Sequence, residues 1–438
     1  MLVADLVERA NRVGQRMAPV LELGRVERVT GFILEGRVRG VRIGAMVQIE
    51  REHDWVPGEV VGFRDGRVLI VPESHTRGIA AGAFIRSAAR APTFPVGPEL
   101  LGRVLDPFGT PIDGGGPLTT NAKAPVHADP PAVHARANVV EPLETGIRVI
   151  DGLLTCGRGQ RVGLFAGAGV GKTMLIRQIA AQAQADVVVM GLIGERGIEA
   201  RDLLSSPPHP HTVMVVATSD RPPMERVRGA QAATAVAEYF RERGKQVLLV
   251  VDSLTRYAMA LREIGLAAQE PPATKGYPPS VFARLPQLLE RVGPISSGGS
   301  ITGFFTVLVE GDDLADPVAD AARSLLDGHI VLSRELAGSG HFPAVDVLAS
   351  ASRVALKVTD KAQREAAAEA RRALSTLVEV DELRALGAYT PGAQPDLDRR
   401  MQEGLRVMKW GQQDSEERSD LAGSFLGLRN ELKAGGWR

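Results

Sequence analysis

The chain has 438 residues, 44% of them apolar, which is ordinary for a folded protein and long enough for two or three domains. Lys plus Arg and Asp plus Glu both total 52, so no overall excess of positive charge exists to hold a nucleic-acid backbone or an anionic membrane, and no nucleic-acid partner is expected. One cysteine, Cys156, excludes an internal disulfide and reads as a buried thiol, and no run approaches the ~18 apolar residues that span a bilayer.

Leu2, Leu6, Ala10, Val13 and Met17 recur at helical spacing before Pro19. Residues 1–18 are therefore expected to form an amphipathic helix, whose apolar stripe packs on its own domain or docks to a partner protein. Asp5, Glu8 and Arg9 interrupt the stripe, which argues against a secretory signal and for a cytoplasmic protein. Residues 19–90 change to short apolar runs punctuated by glycine, such as Gly31–Gly36 and Gly66–Pro72, the pattern of a small β-barrel.

From 91 to 354 the pattern is that of an α/β domain. A connector rich in proline and glycine, including Gly114-Gly115-Gly116-Pro117, comes first. β-branched runs at Arg161–Phe165, Val187–Ile193, Thr212–Ala217, Val247–Val251 and Ile301–Val309 then alternate with helix-length segments, as in a mainly parallel sheet. Residues 355–438 turn to Ala, Leu, Glu and Arg, with Leu374, Leu377, Leu383 and Leu386 at helical spacing. A helical domain is expected there, and 411–438 carry no signal beyond helix packing.

The run Arg161–Phe165 leads directly into Ala166-Gly167-Ala168-Gly169-Val170-Gly171-Lys172-Thr173, and helical periodicity starts at Met174. Strand, glycine loop and helix in that order make a phosphate-binding loop, because glycines let several N–H groups point inward while the helix N-terminus favours negative charge. Ala168 to Met174 would wrap ATP, Lys172 would reach its β- and γ-phosphates, and Thr173 would ligate Mg²⁺. The generic motif has glycine where this chain has Ala166, a mild departure, since alanine is tolerated wherever φ stays negative.

The apolar strand Val247–Val251 ends in Asp252, which in a P-loop fold stands beside Mg²⁺ through its water shell. Gly194-Glu195-Arg196-Gly197-Ile198-Glu199 follows another strand, at the end where ligand sites gather in open α/β sheets. Glu195 is the candidate base for the attacking water, with Glu199 near the Mg²⁺ waters. Charge developing on the γ-phosphate also calls for an arginine, which the residues alone do not single out. His209-Pro210-His211 lacks the spacing and neighbouring acids of a metal site.

Together these segments resemble the catalytic subunits of rotary ATP synthases and, more closely, the export ATPases of flagellar and type III secretion systems. The resemblance spans nearly the whole chain. It is carried by Gly102-Arg103-Val104-Leu105-Asp106, Gly109, Pro111-Ile112-Asp113-Gly114, the phosphate loop, Gly194-Glu195-Arg196, Pro271–Ala283, Glu310-Gly311-Asp312-Asp313, Asp327–Arg334, Pro343–Asp346 and Ser350–Arg353.

The resemblance implies an N-terminal β-barrel, a RecA-like core and a C-terminal helical domain, assembled as a homohexameric ring. It implies that Glu195 is the catalytic carboxylate, Arg196 a nearby phosphate-side cation, and Arg353 the arginine finger serving the neighbouring subunit. Phe342 falls where the family stacks an aromatic, usually tyrosine, on the adenine. The segment 311–317 resembles the loop that faces the pore and grips a central stalk protein. Other implied partners are a regulator binding the N-terminal helix, export chaperones and their substrates, and an export gate at the inner membrane, where the cytoplasmic ring would associate peripherally.

The function expected is hydrolysis of ATP to release substrates from chaperones for export. A rotary synthase subunit of the nucleotide-storing type is disfavoured by Glu195. A ring-shaped RNA translocase would need an aromatic, basic barrel, and the barrel region has only Phe32, Trp55, Phe63 and Phe84. A purely structural ring component is disfavoured by the complete catalytic set. Pro272–Gly276 and Asp316–Arg323 lean toward the flagellar branch over a virulence injectisome.

Overall fold

The computed structural model describes residues 23–88, 91–204, 208–309 and 315–434, side chains at 200 and 202–204 excepted. The expected helix at 1–18, the acids Asp312 and Asp313, and residues 435–438 lie outside these ranges. The chain divides into two compact units, Met1–Pro92 and Thr93–Arg438.

The first unit is a closed barrel of β1 (Leu23–Thr30), β2 (Ile33–Arg37), β3 (Met46–Arg51), β4 (Asp54–Arg64), β5 (Arg67–Pro72) and β6 (Phe84–Ser87), in the order β1-β2-β5-β4-β3-β6. Val26, Leu34, Val47, Ile49, Val60, Ile70 and Ile85 fill its interior, one inward residue for each outward neighbour. Asp65 (φ 48°) and Gly66 (φ 73°) form the two-residue β4–β5 turn, whose left-handed backbone matches the twist of the paired strands. Closure leaves no free strand edge.

In the second unit an eight-stranded sheet contains β7 (Val104–Leu105), β8 (Arg161–Ala166), β9 (Val187–Ile193), β10 (Thr212–Ala217), β11 (Gln246–Asp252), β12 (Ser300–Leu308), β13 (Gly328–Leu332) and β14 (Val345–Ser352). The order is β14-β13-β8-β12-β11-β9-β10-β7, parallel throughout except for the β13–β14 pair. β9 and β10 are buried at every residue, as strands covered on both faces by helices must be, which explains their continuous apolar runs. The five strands read from the sequence are all present, each within a residue at either end. The layers facing the sheet include α1 (Arg148–Leu153), α2 (Lys172–Gln182), α3 (Gly197–Leu204), α4 (Pro223–Arg241), α5 (Leu254–Ala267), α6 (Pro279–Leu289) and α7 (Pro317–Leu325). Cys156 is buried and its thiol is pushed up by desolvation.

The C-terminal region is helical: α8 (Lys361–Ala385), α9 (Pro395–Gly411) and α10 (Leu421–Ala434). Its buried stripe differs from the leucine stripe expected. α8 buries Ala366, Ala370, Ala373, Thr376 and Val380, whereas Leu374, Leu377 and Leu383 are half-buried and Leu386 is 80% exposed. Small residues let the helix axes approach closely. At Gly404 of α9, an added Cβ would lie 2.5 Å from the Ala373 carbonyl oxygen, so only glycine fits that crossing.

Candidate nucleotide and catalytic site

The carboxyl ends of β8, β11 and β9 carry the phosphate loop, Asp252 and Glu195 respectively. Because these strands are parallel, their ends open on one edge of the sheet, the place where loops rather than side chains of the core decide chemistry. Gly169 and Gly171 hold φ of 77° and 86°, left-handed values that side chains resist, and Gly171 caps α2. Ala166 is the last residue of β8, in strand geometry, and its carbonyl accepts from Val309 N–H. The alanine in place of the motif glycine therefore costs nothing in backbone strain.

Lys172 opens α2 and points its ammonium at two acids: Nζ lies 2.5 Å from Asp252 Oδ1 and 3.2 Å from Glu195 Oε1. Burial opposes its charge, but both carboxylates outweigh that penalty and hold its pKa above the usual value. Thr306 Oγ1 donates to the same Asp252 oxygen at 2.5 Å, so the nearly inaccessible Asp252 carboxylate has a cation and a hydroxyl to satisfy it.

Gly194, at φ 70° after β9, turns the chain so that Glu195 faces Lys172. Burial, a hydrogen bond with Glu199 and the nearby Asp252 charge push the Glu195 carboxyl up to about 7, against the pull of Lys172. The same hydrogen bond, followed by the charge of Arg196, pulls Glu199 down. Two carboxyls sharing one proton, with the pair biased so that Glu195 holds it, follow from these environments. Arg196 turns outward: its side chain is 77% exposed, and its guanidinium pairs with Glu199 at 2.6 Å.

Arg353 follows the edge strand β14. Its N–H donates to Asp327 O, and its guanidinium donates to Arg323 O at 3.1 Å on the exposed surface, rather than joining the Lys172 cluster. Asp316 caps α7, accepting from the N–H groups of Val318 and Ala319, which gives this acid of the 311–317 segment a local structural use.

Beside the phosphate loop lies a cavity of about 600 Å³. Val170, Gly171, Met174 and Phe342 line one side, and the Phe342 ring lies against Gly171, where an added Cβ would be 3.2 Å from it. A further wall comes from Gln412–Ser415, between α9 and α10. Residues 411–438 were expected to do no more than pack helices, so this wall is an addition that the sequence did not signal. Thr306 was also missed, although a threonine within the apolar run Gly303-Phe304-Phe305-Thr306-Val307-Leu308 was a signal available to find it.

The model of the ATP synthase alpha/beta family nucleotide-binding domain matches residues 146–352, and that of the T3SS EscN ATPase C-terminal domain matches 359–430. A flagellum-specific ATP synthase of Salmonella typhimurium is 45% identical, over 93% of this chain and 93% of its own. The SPI-2 type 3 secretion system ATPase of the same organism is 47% identical, over 86% of this chain and 87% of its own. The chain belongs to this export ATPase family. Among solved structures, the assembled ATPase EscN in complex with its central stalk EscO, from enteropathogenic E. coli, superposes with a TM-score of 0.84 at 40% identity, covering 93% of this chain and all of that one. The export ATPase is thus a nucleotide-binding enzyme with a barrel, an α/β core and a helical C-terminal region. Among its described residues no helix is long and apolar enough to cross a membrane.

Proposed function

We propose that this ATPase hydrolyses Mg-ATP in a homohexameric ring at the flagellar export apparatus, energising release of export substrates from their chaperones. The observation that carries the catalytic part is the buried cluster of Lys172, Asp252 and Glu195 at the mouth of the phosphate loop. Lys172 is held by carboxylates and is ready to exchange them for the β- and γ-phosphates of ATP, whose N–H partners are the glycine-loop amides of 168–173 and whose adenine stacks on Phe342. That exchange frees Asp252 and Glu195 from their cation.

The donor set suits magnesium: the Thr173 hydroxyl and the Asp252 and Glu199 carboxylates are hard oxygens. No cluster of three His, Cys, Asp or Glu among the described residues forms a protein-only cage, which is as expected for a cation held largely by water and phosphate. When bound, Mg²⁺ would neutralise charge building on the phosphate oxygens. Glu195, with a carboxyl near neutrality, orients the attacking water and accepts its proton. Arg353 is the finger for a neighbouring subunit's γ-phosphate, a reading supported by its exposure beyond the edge strand, and Arg196 acts indirectly by holding Glu199.

Relatives of both branches are similarly identical, so the flagellar assignment rests on the segments Pro272–Gly276 and Asp316–Arg323. The assembled EscN with its stalk supports the ring and a stalk partner here, with the loop around 311–317 as the stalk contact. A regulator at the N-terminal helix, chaperones, substrates and the export gate complete the partner set, with the ring cytoplasmic and peripheral at the inner membrane. The experiment is hydrolysis by the purified chain over a wide concentration range, with Glu195→Gln, Arg353→Ala and their equimolar mixture. Activity that rises steeply with concentration and partial recovery in the mixture support shared sites. Concentration-independent activity, or survival of Arg353→Ala, rejects them. In the cell, loss of swimming on deletion of the gene supports the flagellar branch, and intact motility rejects it.

A further inference from the structure

The segment that forms this further wall of the cavity is fastened by one buried side chain. Gln413 is 6% exposed, and both ends of its side-chain amide and its backbone N–H are engaged. Its Nε2 donates to Gly146 O at 2.8 Å and Glu417 O at 2.7 Å, its Oε1 accepts from Arg148 N–H at 2.7 Å, and its own N–H donates to Phe342 O at 3.0 Å. Arg148 adds a second fastening, donating to the carbonyls of Trp410 and Gln412 at 3.0 Å each. From α2, Gln178 Nε2 donates to Asp414 O at 3.1 Å.

Gln413 therefore ties two walls of one cavity together. Its backbone holds the residue whose ring covers Gly171, and its side chain anchors the 412–415 segment, which lines the same cavity, to Gly146 and Arg148. Gly146 and Arg148 lie more than 260 residues from Gln413 in sequence, so helix packing alone would not demand this particular amide. A buried amide with every donor and acceptor used fixes its surroundings in one arrangement.

We infer that Gln413 is a positioning residue for the nucleobase, setting the gap between Phe342 and the 412–415 segment into which the purine slides. The inference rests on the ATP-binding reading above. The proposed phosphate groups, Lys172 and the loop amides, share no hydrogen bond with Gln413, so the base and triphosphate contributions separate.

The test compares the full chain with Gln413→Ala, titrating ATP and inorganic tripolyphosphate by calorimetry and following ATP turnover. The expected result is about a tenfold rise in the Kd and KM for ATP, with kcat within about twofold and the tripolyphosphate Kd unchanged. Equal weakening of both ligands would mean a general structural role and would overturn the inference, as would no change in either. A wild-type chain that binds ATP no more tightly than tripolyphosphate overturns the base-site inference alone, while one that binds neither removes the ATP-binding reading itself. Where Gln413→Ala fails to fold, Gln178→Ala loosens the same segment from α2 and is read by the same comparison.

Discussion

Glu195 is the residue whose environment and role are most closely joined. Its carboxyl sits near 7 because burial, Glu199 and Asp252 all disfavour charge there, and a base must be ionised to accept a proton. If Glu195 is the base, its protonated form is inactive, and kcat/KM of the free enzyme should fall as pH drops through about 7 and level off above it, checked by a profile from acid to mild alkali. Glu195→Gln should keep nucleotide binding and lower kcat by about 10²–10⁴-fold, measured by single-turnover hydrolysis. The family resemblance makes Arg196 a nearby phosphate-side cation, whereas in this structure its guanidinium faces solvent and Glu199.

At the scale of elements, several of the strings that mark the family prove to be structural devices. Asp113 receives Arg103 through two nitrogens and the N–H groups of Val104 and Gly115, closing the loop after β7. Those donors hold its carboxyl well below the usual range, with Arg103 the largest cause. The folded protein therefore binds this proton less readily than the unfolded chain. The stabilisation is present above about pH 4 and is lost as pH falls through the folded-state value. Asp113→Asn should lower stability at pH 7 by about 1–3 kcal/mol, and the gap from wild type should narrow in acid, followed by thermal melts at several pH values. Asp327 likewise receives the N–H and guanidinium of Arg161, and its own carbonyl accepts from Arg353 N–H, so the string 327–334 serves to seat the candidate finger. In the C-terminal hairpin, Gly404→Ala should cost about 1–3 kcal/mol, because the added methyl meets backbone rather than a side chain that can move. A lower melting temperature with unchanged secondary structure by circular dichroism is the expected record.

For the whole molecule, the decisive geometry is the separation of catalytic groups. Lys172, Asp252 and Glu195 converge within one chain, while Arg353 is engaged on the exposed flank by Arg323 O. Arg353 thus stands outside its own chain's Lys172 cluster, and in the proposed ring it is left to serve a neighbour's site. Arg353→Ala should reduce kcat by about 10³–10⁵-fold without loss of the fold, checked by steady-state assay beside a melting curve.

The sequence by itself determined the barrel, the α/β sheet and the phosphate loop, because each rests on local chemistry: alternating apolar residues, continuous apolar strands, and glycines between a strand and a helix. It also brought Lys172, Asp252 and Glu195 into one proposed site, since strand ends of a parallel sheet share an edge. What only the tertiary structure decided is what depends on distant partners. The alanine stripe of α8 replaced the leucines because the approach of α9, not the helix's own periodicity, chose the buried face. Thr306 reached Asp252 only through the adjacency of β12 and β11, and Gln413 met Gly146, Arg148 and Phe342 only through closure of the C-terminal segment over the core. Hydrogen bonds across such separations leave no period or spacing in the chain, so the part of the cavity lined by 412–415 was illegible until the fold placed it.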